Sequence, residues 1–248
     1  MRRRVVTWGN PVDSRSNYFS ILYNHGTERA AAVIYSPEYI SEKIESVGVL
    51  PVINVPNADL ALPLAKALMD GGMTALEITL RSDCSLAAIK SIKAAYPDFI
   101  VGAGTVLTTA AVDDAIGAGA DFLVSPGFDP ELVDYCNERG VLMVPGCVTP
   151  TEIQLAVKRG LTVLKFFPAE LSGGVAAIKL LSGPFPTVRF LPTGGITFDN
   201  FASYLAYDKV IACGGSFMAT GDQVKNGKFD EIADSCRQAL AISKEARG

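Results

Sequence analysis

The sequence predicts an α/β fold, a (β/α)8 barrel carrying an N-terminal extension. Three observations predict it. Eight short apolar runs follow one another from residue 49, their starting points are 20 to 26 residues apart, and amphipathic segments with helix-capping residues lie between them. Each interval holds a strand, a helix of two or three turns and two tight loops. Continuously apolar strands suit a parallel sheet covered by helices. A doubly wound open sheet is the competitor, but it rarely runs to eight such even units, and the barrel is the better reading.

The runs are Val49–Val55, Ala75–Thr79, Ile100–Ala103, Asp121–Val124, Val141–Val144, Thr162–Phe166, Val188–Leu191 and Val210–Ala212. Asn57, Thr108, Asp129, Thr149 and Thr197 precede the periodic stretches as N-caps. Asp129-Pro130 and Thr149-Pro150 place proline at the first helical position, and Thr149 with Glu152 spells a capping box. Gly71, Gly140 and Gly160 are placed to end helices. Met143 and Phe122 read as ordinary core.

Residues 1–46 differ in character and are read as a partly irregular extension, with the barrel over 47–248. The segment has irregular polarity until a helical stretch near residues 37–46. Arg2, Arg3 and Arg4 resemble the start of a signal peptide, yet no apolar core of 7–15 residues follows them. Asp13 and Glu28 weaken a transit-peptide reading.

The 248 residues are 49% hydrophobic and 19% charged, ample for a full core, and carry a formal net charge of −4. With no basic patch, nucleic acid and acidic membranes are not expected partners. No apolar run approaches the ~20 residues that span a bilayer. Five cysteines without a CxxC pair fit reduced thiols in a cytoplasmic protein. The single histidine, His25, lies in the extension and reads as a surface residue. The repeating part therefore has no imidazole for a base and no His-rich zinc site. Acid–base work there falls to Glu, Asp, Lys, Tyr or Cys.

One charge breaks the sixth run. Lys165 sits in Thr-Val-Leu-Lys-Phe-Phe, and an ammonium ion among such neighbours costs several kcal/mol unless it is paired or sheds its proton. A neutral lysine is a nucleophile that condenses with carbonyl compounds. The alternative is a lysine at a strand end that snorkels to solvent. Strand parity sharpens the choice. Ala75, Glu77, Thr79 and Arg81 share one face while Leu76, Ile78 and Leu80 share the other. The apolar face belongs under the helices, so Glu77 points into the barrel. By the same parity Val163, Lys165 and Phe167 point inward. A carboxylate and a lysine thus enter one interior from strands two and six, near the strand C-termini where barrel enzymes do their chemistry. Glu77 as a plain ion-pair partner of Lys165 or Arg81 is the competing reading.

Glycine pairs follow the last two strands, in Pro192-Thr-Gly-Gly-Ile196 and Cys213-Gly-Gly-Ser-Phe217. Loops after strands seven and eight are the common phosphate site of such barrels, where glycine lets backbone N–H groups approach an anion. Gly102-Ala-Gly-Thr105 and Ser125-Pro-Gly127 bring close backbone approach and a hydroxyl to the same rim, or else are tight turns.

The runs LEITLR, GAGTVL, SPG, LKFFPAE, PTGGI and GGSF occur in this order. Together they resemble the 2-keto-3-deoxy-6-phosphogluconate (KDPG) aldolase family, whose bifunctional members also cleave 4-hydroxy-2-oxoglutarate. The resemblance covers roughly residues 45–245. It implies a class I aldolase of the cytoplasm and the Entner-Doudoroff pathway, needing no metal and no cofactor, usually a homotrimer. Its partners would be a small 2-keto acid and a phosphorylated sugar acid. The resemblance assigns Lys165 as the Schiff-base lysine and Glu77 as the general acid–base. It places Arg81 on the pyruvate carboxylate, and Thr105, Pro126 and Phe167 around the pyruvyl pocket. Thr193, Gly194, Gly195, Gly214, Gly215 and Ser216 would hold the distal part of the substrate with its phosphate. A galactonate-type aldolase, and a phosphate-binding barrel isomerase without Schiff-base chemistry, are the rival readings. The extension departs from the family, in which only a short helix precedes strand one.

Overall fold

Alternation of buried runs and capped helices closes the chain into a barrel. A computed structural model describes residues 35–248. Its strands are β1 (Val49–Ile53), β2 (Ala75–Thr79), β3 (Ile100–Gly104), β4 (Phe122–Val124), β5 (Leu142–Val144), β6 (Val163–Phe166), β7 (Arg189–Pro192) and β8 (Cys213–Gly215). Six of them form a parallel sheet in the order β5-β4-β3-β2-β1-β8, and β6 pairs with β7. Single parallel bridges join the two pieces, Gly146 with Lys165 on one side, and Phe190 with Val210 and Thr193 with Gly214 on the other.

The helices are α1 (Pro37–Val47), α2 (Ala61–Asp70), α3 (Ser85–Ala95), α4 (Thr109–Ala118), α5 (Pro130–Arg139), α6 (Pro150–Val157), α7 (Gly174–Ser182), α8 (Phe201–Leu205), α9 (Gly221–Lys225) and α10 (Phe229–Arg247). Thr108 and Asp129 accept hydrogen bonds from the first-turn amides of α4 and α5, and Thr149 with Glu152 forms the expected capping box on α6. Asn57 caps a short 3-10 turn, Ala58–Leu60, that leads into α2.

Three expectations are corrected. The eighth run, Val210–Ala212, is not the strand. β8 lies three residues later at Cys213–Gly215, because Ile211 and Ala212 fill the barrel floor while Cys213, Gly214 and Gly215 make the ladder with Val49, Leu50 and Pro51. Thr197 does not cap a helix. Its Oγ1 accepts from the amide of Asp199 in a turn, and α8 starts only at Phe201. Gly160 stands two residues past the C-cap of α6, Lys158, where its φ of +80° closes the turn.

Two apolar clusters divide the core. The larger lies between sheet and helices and contains Leu76, Ile78, Leu164 and Phe166. The smaller fills the lower barrel with Leu50, Ala75, Ile100, Phe122 and Leu191, and includes Ile40 and Ile44 of α1. The helix expected near 37–46 is therefore a plug on the N-terminal face, its apolar side buried, rather than a loosely packed element. The rest of the expected extension, with Arg2, Arg3, Arg4 and His25, lies outside the described residues. Among the described residues no helix is long and apolar enough to cross a membrane.

Candidate active site

Glu77 and Lys165 both point into the barrel, as strand parity predicted. Glu77 on β2 is fully buried, and Lys165 on β6 is 6% exposed. Their side chains meet across the barrel, with Nζ of Lys165 3.5 Å from Oε1 of Glu77. Oε2 of Glu77 is buried and has no hydrogen-bond partner among the described residues. A buried carboxylate oxygen left bare costs free energy, so the atom is poised for a ligand or a proton. Nζ also lies 5.4 Å from the centroid of the half-buried Phe167 ring, within cation–π range.

The main chain holds Lys165 from both sides. Its N–H donates to the carbonyl of Pro145 and its carbonyl accepts from Cys147, while it stands in register with Leu191 of β7. The Lys165 side chain is only 7% exposed and its amine meets Glu77 inside the barrel, so it does not snorkel to solvent.

Glu77 is seated by an absence of bulk. Gly104, at the end of β3, pairs with Thr79, and a methyl group on it would fall on the Glu77 carboxylate. The sequence marks Gly104 as a point of close backbone approach or part of a tight turn, and not as the seat of Glu77. A glycine inside an apolar strand next to an inward-facing carboxylate was the signal that could have found its role.

At the rim, Arg81 is exposed and its Nε donates to Oγ1 of Thr105 at 3.4 Å. Thr105 has φ +61°, the one non-glycine residue with positive φ among those described. Such a conformation in a β-branched residue marks local strain, which clusters at functional sites. Pro126 is half-buried, and its carbonyl lies so close to Gly146 that no side chain fits there. Thr193 is buried and bridges to Gly214, whereas Gly195 and Ser216 are exposed at the barrel mouth. Gly194 and Gly195 have φ of +96° and +79°, and the Phe167 ring packs against Gly194. The structure thus joins Lys165, Glu77 and Phe167 in one group, Arg81 and Thr105 in a second, and Thr193 and Gly214 in a third.

The burial of the thiols is also clear. Desolvation pushes Cys136 up to about 11 and Cys147 and Cys236 up to about 12, and raises Cys213 as well. These cysteines are inert packing groups. No group of three or more His, Cys, Asp or Glu side chains among the described residues is placed to hold a metal ion.

The family model for KDPG and KHG aldolase matches residues 40–235. The chain belongs to that aldolase family. A 2-dehydro-3-deoxy-phosphogluconate aldolase of Treponema pallidum is 43% identical over 203 residues, 82% of this chain and 97% of the relative. The KHG/KDPG aldolase of Escherichia coli K12 is 42% identical over 205 residues, covering 82% and 96%. Among solved structures, the KDPG aldolase of Legionella pneumophila, captured with pyruvate as a covalent carbinolamine, superposes with a TM-score of 0.77. It is 36% identical, over 79% of this chain and 96% of that one.

Proposed function

We propose that the protein cleaves 2-keto-3-deoxy-6-phosphogluconate to pyruvate and glyceraldehyde 3-phosphate through a Schiff base on Lys165. The single observation that carries the reading is the buried lysine amine within reach of a half-satisfied buried carboxylate at the mouth of a barrel.

The neutral amine of Lys165 adds to C2 of the 2-keto acid, and the carbinolamine loses water to give an iminium. The carboxylate of Glu77 takes the proton of the C4 hydroxyl, in part through a bound water. The C3–C4 bond then breaks, its electron pair entering the iminium to give an enamine while the aldehyde departs. Glu77 returns a proton to C3, and water hydrolyses the imine to release pyruvate and the free amine. Arg81 clamps the pyruvate carboxylate with its planar fork. Thr105, Pro126 and Phe167 line the pyruvyl pocket. Thr193, Gly194 and Gly195, with Gly214, Gly215 and Ser216, receive the distal phosphate at the rim.

The same pyruvyl half supports cleavage of 4-hydroxy-2-oxoglutarate to pyruvate and glyoxylate. The galactonate analogue of the first substrate shares that half too, and only distal contacts near Ser216 discriminate. Residues 1–46 are taken as an extension to the barrel over 47–248. A homotrimer in the cytoplasm, acting in the Entner-Doudoroff pathway, completes the reading. Leu171 and Leu180, 90% and 80% exposed on the β6–α7 side, supply apolar surface for such an assembly.

Borohydride reduction in the presence of pyruvate, followed by intact mass and peptide mapping, tests the reading. A pyruvate-sized adduct on Lys165 is expected, with no adduct and no cleavage in Lys165→Ala. Cleavage by Lys165→Ala at the normal rate would overturn it in favour of a barrel isomerase or other chemistry.

A further inference from the structure

The turn after β7 is held by its carbonyls. The carbonyl of Thr193 accepts from the amide of Ala169 at 2.8 Å, that of Gly194 from Glu170 at 3.2 Å, and that of Gly195 from Nδ2 of Asn200 at 2.9 Å. The amides of Gly194 and Gly195 donate to no acceptor among the described residues. Two of the three ties come from the Ala169–Glu170 main chain. The Glu170 side chain lies directly beneath the turn, since a methyl group on Gly195 would come within 2.6 Å of its Cγ and 2.7 Å of its Cβ.

Glu170 is exposed, yet its carboxylate is not loose. Oε1 accepts a hydrogen bond from the hydroxyl of Tyr204, a residue of α8 that is only 1% exposed. Gly174, at the start of α7, has φ +62°, and a methyl group there would stand 3.2 Å from that hydroxyl, so the chain makes room for the contact. Burial and the adjoining carboxylate push the Tyr204 hydroxyl up, so it remains a donor through neutral and moderately alkaline pH.

A tethered Glu170 side chain braces the turn at Gly195, which its Cβ and Cγ approach closely. We infer that the Tyr204–Glu170 hydrogen bond is a latch that fixes the Thr193–Gly195 turn, making both residues positioning residues for the distal phosphate of the substrate. The inference rests on the proposal that this turn receives the phosphate. It assigns the latch no contact with the reacting carbons.

The test compares Tyr204→Phe, Glu170→Gln and Glu170→Ala in the full chain, using KDPG turnover and the pyruvate concentration that gives half-maximal borohydride trapping. Pyruvate lacks the distal phosphate, so its trapping reports on the pyruvyl half of the site and not on the turn after β7. Tyr204→Phe should raise KM for KDPG about tenfold with kcat within about twofold, since loss of orientation is read mainly in binding of that end. Half-maximal trapping by pyruvate should stay unchanged. Glu170→Gln keeps an oxygen acceptor for Tyr204 and should stay near the wild-type KM, while Glu170→Ala should lie several-fold above Glu170→Gln. A KM for KDPG in Tyr204→Phe within twofold of wild type, or an equal loss for pyruvate trapping, overturns the latch. Should Tyr204→Phe not fold, equal KM values in the two Glu170 variants overturn it instead. Absence of pyruvate trapping in the wild-type protein marks failure of the aldolase reading itself, and the latch falls with it.

Discussion

Gly104 and Glu77 occupy space that only one of them can fill with a side chain. The α-carbon of Gly104 on β3 stands so close to the Glu77 carboxylate on β2 that a single methyl group would overlap Oε1. The carboxylate that faces Lys165 owes its position to the missing side chain next door.

Gly104→Ala should therefore displace Glu77 while leaving the barrel folded. A shift of about 1 Å at a catalytic group can cost around a hundredfold in turnover. Circular dichroism should be unchanged and kcat for KDPG cleavage should fall by about that factor. Normal turnover in a folded Gly104→Ala protein would show that Glu77 does not need its present seat.

Glu77→Gln separates the two roles of the buried pair. The amide cannot carry the C4 proton, so cleavage should slow by ~10²–10⁴-fold, the usual range for a lost general acid–base. Imine formation with pyruvate should survive, read as the borohydride adduct on Lys165. Wild-type cleavage rates in this variant would remove Glu77 from the proton path.

Thr105 keeps a left-handed backbone at φ +61° with its hydroxyl 3.4 Å from Nε of Arg81. The conformation costs an L-residue roughly 1–2 kcal/mol, against about 0.5–1 kcal/mol for the extra freedom of glycine in the unfolded chain. Thr105→Gly should thus leave urea-unfolding stability equal or slightly higher, while KM for KDPG rises several-fold as Arg81 loses its support. A clear loss of stability would mean that the threonine is a packing residue and not a strained functional one.

Burial of the thiols sets an alkaline limit. Cys136 is pushed up to about 11, and Cys147 and Cys236 to about 12, from an ordinary value of 9.0. The folded protein holds these protons longer than the unfolded chain. The thiols' contribution to stability is therefore constant below pH 9 and falls above it, by up to about 1.4 kcal/mol per pH unit for each thiol. Urea unfolding at pH 8, 9 and 10 should show the decline, and Cys147→Ala should make it shallower. At pH 8 the half-buried Cys84 should react with a thiol reagent well before the four buried cysteines.

Much of the barrel was legible because it depends on local rules. The period-two pattern of Ala75–Arg81 sends Glu77 inward, and the same pattern in β6 sends Lys165 inward, whatever the rest of the chain does. The capping box of Thr149 and Glu152 and the Asp129 cap were likewise local and are present as expected. The eighth strand failed for a matching reason. Val210–Ala212 carries the apolar signal of a strand, but Ile211 and Ala212 fill the barrel floor and Val210 packs in the outer core. The ladder itself runs through glycines that have no hydropathy to read.

By itself the sequence determined that Glu77 and Lys165 enter the barrel, where α4, α5 and α6 begin, and the family to which the chain belongs. Tertiary structure alone decided that Gly104 clears room for Glu77, that Thr105 bends into a left-handed turn, that Ile40 and Ile44 plug the floor, and that Tyr204 reaches Glu170. The first set follows from the fixed geometry of a few neighbouring residues. The second depends on contacts between residues far apart in the chain, such as Gly104 with Glu77 or Tyr204 with Glu170, which exist only once the barrel has closed.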